Sequence, residues 1–404
     1  MGGRAYPQGF AVYVHDRIDQ NERFRERRRQ ARRRRRARRS LAAAILLGCA
    51  AALAAGAAFF TSHGGGGLGA VDGSKLKPAP KPRFRALPAE VRGVHVTMPL
   101  ASVRGKLDEY LSLQSWGLNT IELDVKDENG EVAFASASAP LATQVDAVRS
   151  YYEPRQVVRK VRARGLYLIG RVVTFEDPVL SERRSELAIK NPDGSVWHND
   201  IGLGWTNPYD KRVWDYNVDI AVGAARAGFD EIQFDYVRFP SDGDTDSIVY
   251  PGKRAEAKAD TILRFLTYAS KRLRPLGVRV SADVFGLAAT QDLGIGQSPR
   301  KLARVLDAVY PMVYPSHYGP GEYQLEDPNA VPGQTVAFSL ADFQRQMRGT
   351  RAKLIPWLQD FSLGREYTLA DVQDQVAAAR RMNTRGFLLW NAESTYRPEA
   401  LTPR

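Results

Sequence analysis

The sequence has very few residues that form disulfides or bind metals: one cysteine and five histidines among 404 residues. A single cysteine excludes an internal disulfide, so the fold has to rely on burial of a hydrophobic core. Cys49 lies within an apolar segment, which also excludes it as a catalytic nucleophile. No two histidines show metal-ligand spacing, and we predict no metal and no other cofactor. The histidines are His15, His63, His95, His198 and His317.

Signature motifs of several enzyme classes are also missing. No glycine fingerprint follows the first predicted strand, which argues against a dinucleotide-binding fold. The Gly-x-Ser-x-Gly elbow of the α/β-hydrolases is absent, and so is a phosphate-binding loop of the Walker type.

Positive charge is concentrated at the amino terminus. The whole chain has a formal net charge of +13, and residues 1–40, with 14 arginines, no lysine and 4 acidic residues, account for +10 of it. The other 364 residues carry a net charge of only +3. A nearly neutral folded region gives little support to nucleic-acid binding, and we predict no nucleic-acid partner.

Residues 41–60 form an uncharged apolar run of the length that a bilayer-spanning helix requires. Because arginines directly precede this run, the positive-inside rule predicts a cytoplasmic amino terminus and an extracytoplasmic remainder. We therefore predict a single-pass signal anchor in the cell membrane, with residues 1–40 as an Arg-rich tail that can contact anionic lipid. A cleavable signal peptide, or lipid attachment at Leu46-Leu-Gly-Cys49, is the alternative. Residues 61–90, rich in Gly, Pro and Lys, are typical of a flexible linker.

From residue 91 onward, short apolar segments rich in β-formers alternate with helical patterns. The predicted strands are residues 93–98, 120–125, 166–174, 231–237, 279–285, 308–314, 353–358 and 386–391. The predicted helices are residues 102–116, 154–164, 210–227, 254–273, 298–306, 341–350 and 369–382. Eight strands that alternate with helices favour a parallel sheet, and eight is the number that closes a (β/α)8 TIM barrel. We predict this α/β fold for residues 91–404, with an open doubly wound sheet as the alternative.

In a TIM barrel, catalytic groups lie at the carboxyl ends of the strands. Asp235 and Asp283 lie near the ends of two consecutive predicted strands, and they are the predicted catalytic pair. Glycoside hydrolysis requires two carboxyl groups, one as acid and one as base or nucleophile. We assign Asp235 as the nucleophile and Asp283 as the acid, with its pKa raised by the neighbouring charge. The structural alternative is an ion pair, for example of Asp235 with Arg171 or Arg238.

Other side chains at the predicted strand ends suit a polyhydroxylated substrate. The predicted substrate-binding residues are His95, Asp124, Lys126, Arg171, Tyr236, Arg238, Tyr314, His317, Trp357, Gln359, Trp390 and Glu393. The long connection at residues 175–209 follows a strand, so it is expected on the same side of the barrel. Its tryptophans, Trp197 and Trp205, with the nearby Trp214, could stack on sugar rings or form a small satellite core.

Three segments carry a resemblance to a known family: Arg92-Gly-Val-His95, Thr120-Ile-Glu-Leu-Asp-Val-Lys126 and Glu231-Ile-Gln-Phe-Asp-Tyr-Val-Arg-Phe-Pro240. They resemble a bacterial family of predicted glycoside hydrolase domains, whose members are commonly secreted or tethered to a membrane. The resemblance covers roughly residues 91–395, and the Phe-Asp-Tyr-Val-Arg-Phe-Pro run is its most specific part. It implies a TIM barrel, a carbohydrate substrate and Asp235 as a site residue.

The predicted function is that of a membrane-tethered glycoside hydrolase with a two-carboxylate mechanism. It would act outside the cytoplasmic membrane on a polysaccharide, either peptidoglycan glycan or an exopolysaccharide. The alternative is a barrel that binds carbohydrate or cell wall without catalysis.

Overall fold

The computed structural model describes residues 84–252 and 256–403. The predicted tail (1–40), the predicted membrane anchor (41–60), residues 61–83 of the predicted linker and the predicted helix start at residue 254 lie outside the described residues. Within the described ranges, every helix is too short or too polar to cross a bilayer.

The described strands form a closed parallel barrel. They are β1 (Val91–Val96), β2 (Thr120–Lys126), β3 (Tyr167–Val173), β4 (Glu231–Asp235), β5 (Arg279–Phe285), β6 (Ala308–Val313), β7 (Lys353–Leu354), β8 (Trp357–Gln359) and β9 (Gly386–Trp390). Neighbours follow the order β5-β4-β3-β2-β1-β9-β8-β6, and pairing of β5 with β6 closes the ring.

The short strands β7 and β8 occupy one position in the barrel. Both pair with β6, and Pro356, which has no amide hydrogen to donate, lies between them. Counted in this way, eight strand positions close the barrel. The predicted (β/α)8 fold is confirmed, and the open doubly wound sheet is wrong.

Helices follow the strands and cover the outside of the barrel. They are α1 (Met98–Ser102), α2 (Lys106–Ser112), α3 (Pro140–Gln144), α4 (Pro154–Ala163), α5 (Pro178–Arg183), α6 (Lys211–Ala227), α7 (Lys258–Leu273), α8 (Pro299–Leu302), α9 (Pro332–Gln346) and α10 (Leu369–Arg381). The helix predicted at 102–116 is divided, because Gly105 has a left-handed backbone with φ 82°. The helix predicted to begin at residue 341 begins earlier, at Pro332, since proline is well tolerated in a first helical turn.

Two hydrophobic clusters stabilise the fold. The smaller cluster fills the barrel and includes Tyr167, Tyr310, Trp357 and Leu388. The larger one lies between the strands and the helices, and it also includes Trp197, Trp205 and Trp214. Because these three tryptophans are buried, with Trp205 fully inaccessible, their role is the satellite core and not the stacking of sugars.

Closure of the barrel depends on a close approach between β9 and β1. A Cβ atom on Gly386 would lie 2.0 Å from the carbonyl oxygen of Val91, and the residue has φ 118°. We expect Gly386→Ala to lower the free energy of unfolding by about 3 kcal/mol or more, because backbone strain adds to overpacking. Urea denaturation followed by circular dichroism measures this loss.

The matched control for this variant is Gly165→Ala. Gly165 also has a positive φ, 74°, but no atom lies within 4 Å of the Cβ that alanine would add. Only the left-handed backbone penalty remains there, about 1 kcal/mol. Equal losses in the two variants would contradict the role of the β1–β9 contact.

Candidate active site

The first four strands turn charged side chains toward the barrel interior. They are His95 on β1, Glu122 and Asp124 on β2, Arg171 on β3 and Asp235 on β4, and all are buried. Buried charges are costly unless they are paired. In this cluster they are paired in an alternating row of acids and bases, which we call the charged row.

Arg171 lies at the centre of the charged row. Its Nε and Nη2 donate to Oδ2 of Asp235 at 3.0 and 2.8 Å, and its Nη1 donates to Oδ1 of Asp124 at 2.7 Å. Glu128 approaches Nη1 from the edge at 3.4 Å. One guanidinium group therefore holds two buried carboxylates and a third, partly exposed one. Of the two ion pairs considered for Asp235, the structure contains the pair with Arg171.

Both oxygens of Asp235 accept hydrogen bonds. Oδ2 accepts from Arg171, and Oδ1 accepts from the backbone N–H of Tyr236 at 2.7 Å. Tyr236 has φ 47°, a left-handed conformation that is rare for an aromatic residue and that occurs at functional sites. These donors fix the orientation of the carboxyl group, as a nucleophile or base requires.

Asp283 on β5 lies in surroundings that differ from those of Asp235. Its Oδ1 accepts hydrogen bonds from Trp357 Nε1 at 2.7 Å and from Gln233 Nε2. Burial raises the pKa of Asp283 well above its usual value, and the charges of Asp235 and Glu122 raise it further. Burial therefore favours the protonated form of this carboxyl group, and because both hydrogen bonds reach Oδ1, Oδ2 is left to carry the proton.

Asp235 and Asp283 are neighbours on adjacent strands. The β4–β5 ladder aligns Gln233 with Ser281 and Phe234 with Ala282, so one step further along it brings Asp235 beside Asp283. Two neighbouring carboxyl groups in such different surroundings can divide base and acid roles between two like residues.

His95 ends the charged row on β1. Its Nδ1 is hydrogen-bonded to Oε2 of Glu122, and its Nε2 lies 3.6 Å from Oδ2 of Asp124. Burial alone would lower the pKa of His95, but the charges of Asp124 and Glu122 outweigh burial and raise it. The imidazole ring packs against Trp390, whose ring centroid lies 4.6 Å from that of His95.

An aromatic wall faces the carboxyl pair from the other half of the barrel. Trp357 and Trp390 meet edge to face at 5.6 Å, and Tyr314 packs against His317 at 5.2 Å. Burial raises the pKa of Tyr314 well above its usual value, and the charges of Asp283 and Asp235 add to this effect. Trp357 is as buried as Trp197, so Trp390, which is only partly buried, is the indole ring of this wall that can meet the apolar face of a sugar.

Three predicted substrate-binding residues are not brought to the carboxyl pair. Lys126 follows an irregularity in the β2–β3 ladder and forms a fully buried ion pair with Asp177 at 2.9 Å. The side chain of Gln359 is occupied by the backbone of Ser316 and Phe361. Glu393 is exposed, beyond the end of β9. We no longer assign these three residues to substrate binding, because two are fully buried in other contacts and the third lies outside the cluster.

Two residues of the cluster were not predicted as site residues. Glu122 holds His95, and Gln233 donates to Asp283. Each lies two residues before a predicted site residue on the same strand, and alternation places side chains two apart on one face. A polar residue at that spacing within a buried strand is the signal that could have identified them.

The described residues contain no group of three or more His, Cys, Asp and Glu side chains arranged to hold a metal ion. The buried acids are instead balanced by Arg171 and His95.

A closed parallel barrel with carboxyl groups gathered at the carboxyl ends of its strands has the architecture of a TIM-barrel enzyme. Residues 93–396 match the family described as "Putative glycosyl hydrolase domain", and the chain belongs to this family. The resemblance found in the sequence is thereby confirmed.

Three of the solved structures that are similar to this chain differ in identity, coverage and TM-score. A hypothetical protein from Ruminiclostridium thermocellum is 36% identical over 47% of this chain and 97% of its own, with a TM-score of 0.43. The glycoside hydrolase domain of PgaB (BpsB) from Bordetella bronchiseptica is 14% identical over 76% of this chain and 95% of its own, with a TM-score of 0.54. The spore cortex-lytic enzyme SleL from Bacillus megaterium is 12% identical over 81% of this chain and 74% of its own, with a TM-score of 0.47. At 14% identity the PgaB domain supports the barrel fold alone. The chain matches no curated protein.

Proposed function

We propose that the barrel hydrolyses glycosidic bonds of a polysaccharide, with Asp235 and Asp283 as its catalytic pair. The observation that carries this proposal is the contrast between the two groups. Arg171 and the Tyr236 amide donate hydrogen bonds to Asp235, whereas burial and neighbouring charge raise the pKa of Asp283 well above its usual value. The family of the chain supplies the substrate class.

In the proposed mechanism, Oδ2 of Asp283 donates its proton to the glycosidic oxygen as the bond to the leaving sugar breaks. A carboxylate oxygen of Asp235 attacks the anomeric carbon and forms a glycosyl ester. Asp283, now ionised, removes a proton from water, which hydrolyses the ester and restores both groups. Trp390 and Tyr314 would contact the sugar ring, while the charged row holds Asp235 in place.

We also propose that this reaction takes place outside the cytoplasmic membrane. The support is the sequence of residues 1–60, in which arginines precede an uncharged apolar run. The substrate would then be a glycan of the wall or an exopolysaccharide, within reach of a barrel on a linker of residues 61–90.

The proposal is tested with the full-length protein in detergent, incubated with purified sacculi and with exopolysaccharide. We expect wild type to release reducing ends, and Asp283→Asn to release about 10²- to 10⁴-fold fewer, the contribution of a general acid. The wild-type rate should fall as pH rises through the raised pKa of Asp283, because the acid loses its proton. Co-sedimentation without reducing ends would instead favour a non-catalytic binding barrel.

Thermal unfolding distinguishes lost catalysis from lost structure in Asp283→Asn. Because the pKa of Asp283 is higher in the folded than in the unfolded state, the carboxyl group destabilises the wild type progressively as pH rises above about 4. Asparagine does not ionise, so the variant should unfold at a higher temperature than wild type at pH 8 and at a similar temperature at pH 4. A variant that is less stable at pH 8 would contradict the buried, protonated state of Asp283.

A further inference from the structure

Arg238, on the loop that follows β4, is a buried cation without a carboxylate partner. The residue is 6% exposed, yet within the described ranges no acidic side chain lies within ion-pair distance of it. Its Nη1 donates to the carbonyl oxygen of Phe239 at 3.2 Å and to Oγ of Ser241 at 3.0 Å. Among the residues that the structure describes, none accepts a hydrogen bond from Nε or Nη2, and neither atom is sealed from solvent. By contrast, Arg171 is equally buried and has three carboxylate neighbours.

Aromatic rings hold the guanidinium group in place. Its central carbon lies 5.0 Å from the ring centroid of Trp205, 4.9 Å from that of Tyr236 and 4.8 Å from that of Phe285. Cation–π contacts stabilise a desolvated cation, but they leave its N–H groups without acceptors. A planar guanidinium group with two free donors on adjacent nitrogens matches the geometry of a carboxylate.

The guanidinium group of Arg238 lies near the proposed catalytic pair, Asp235 and Asp283. Tyr236 directly follows Asp235, and Phe285 follows Asp283 by two residues on the same face of β5. Contacts with both rings therefore place the guanidinium near the carboxyl ends of β4 and β5, where the two carboxyl groups also lie. A sugar bound next to the cleaved bond would present its substituents there.

Acidic neighbours do not neutralise this cation. Asp242, on the same loop, accepts from Ser241 Oγ at 3.4 Å and is not ion-paired with Arg238. Burial raises the pKa of Asp242, and the charge of Asp200 raises it further, although Arg238 itself acts in the opposite direction. The positive charge of Arg238 is thus available to a ligand.

We infer that Arg238 binds a carboxylate carried by the sugar next to the scissile bond, so that the substrate is an acidic glycan. This inference rests on the proposed function for the identity of the cleft. The carboxylate could belong to a hexuronic acid or to the lactyl ether of a muramic acid, and the two sources require separate probes.

The test measures binding to full-length protein in detergent by isothermal titration calorimetry. One pair of probes is methyl glucuronoside and its uncharged methyl ester, and the other is N-acetylmuramic acid and N-acetylglucosamine. We expect the acid of one pair to bind about tenfold more tightly than its neutral partner, the gain typical of a charge-assisted hydrogen bond. The pair that shows this preference identifies the source. No preference in either pair would overturn the inference.

Three variants test whether Arg238 is the residue that causes the preference for the acidic probe. Arg238→Gln should bind acid and neutral probes equally, and Arg238→Lys should keep a reduced preference because it retains the charge but loses the planar fork. Arg304→Gln, an exposed arginine that precedes β6 and lies away from the loops after β4 and β5, is the control and should retain the wild-type preference. An unchanged preference in Arg238→Gln would overturn the inference. If Arg238→Gln does not fold, the comparison of probes with wild type and the result for Arg238→Lys still test whether Arg238 binds the carboxylate.

The proposed hydrolysis and the proposed carboxylate site at Arg238 can be disproved independently of each other. A preference for the acid without any release of reducing ends would contradict hydrolysis and leave the carboxylate site standing. Cleavage of a neutral glycan, without a preference for either acid, would support hydrolysis and overturn the carboxylate site.

Discussion

Asp235→Asn should abolish the release of reducing ends while the thermal midpoint stays nearly unchanged. Asparagine has the same shape as aspartate, and its single amide oxygen can still accept from Arg171, although its NH2 group cannot replace Oδ1 as the acceptor of the Tyr236 N–H. The amide oxygen is also a poor nucleophile. Loss of the attacking group should lower the rate by about 10³-fold or more. Arg171 remains paired with Asp124 and Glu128 in this variant, so the fold does not depend on the lost charge.

The control for Asp235→Asn is Glu393→Gln. Glu393 was also predicted at the mouth of the barrel, but it is exposed. Its replacement should leave the rate within about twofold of wild type, because surface substitutions away from the site have small effects. Full activity in Asp235→Asn would contradict the proposed mechanism, and unfolding of that variant would show that Asp235 is mainly structural.

Arg171→Met should cause the largest loss of stability among the site variants. Methionine fills a similar volume, but it leaves Asp124 and Asp235 buried without their cation. Breaking a buried ion pair from one side costs about 3–5 kcal/mol. Urea denaturation at pH 7 measures this loss, and we expect a smaller loss at pH 4, where protonation removes the uncompensated charges.

An exposed ion pair provides the comparison for Arg171→Met. Arg184 is paired with Glu186, and both side chains are 40% exposed or more. Because solvent screens such a pair, Arg184→Met should cost no more than about 1 kcal/mol. Similar losses in Arg171→Met and Arg184→Met, or a loss in Arg171→Met that does not change with pH, would contradict the account of the charged row.

Most of the barrel could be predicted because its strands are buried on both faces and bounded by turn residues. The segments around Ile121, Ile169 and Ile232 are short and have apolar residues at alternate positions or in a run, and all three form strands where predicted. The strand predicted at 353–358 was less accurate, because Pro356 interrupts its ladder and divides it into β7 and β8. Local sequence indicates a strand, but it does not show which N–H groups the neighbouring strand requires.

Side-chain direction was harder to predict than strand position. Lys126 is two residues from Asp124, which predicts the same face, but the irregular β2–β3 ladder turns it toward Asp177. Arg171 and Arg238 are both near strand ends, and the sequence offered either as the partner of Asp235. Only the fold shows that Arg171 approaches from the adjacent strand while Arg238 is held by aromatic rings. The direction in which each of these side chains points depends on contacts between residues far apart in the chain.

The charged row has a further consequence for the reaction proposed here. Hydrogen bonds fix all five of its groups before a ligand arrives. Cleavage of a glycosidic bond passes through an oxocarbenium ion, in which the ring acquires positive charge. Carboxyl oxygens that are held rigidly next to that ring can stabilise the developing cation without any reorganisation during the reaction.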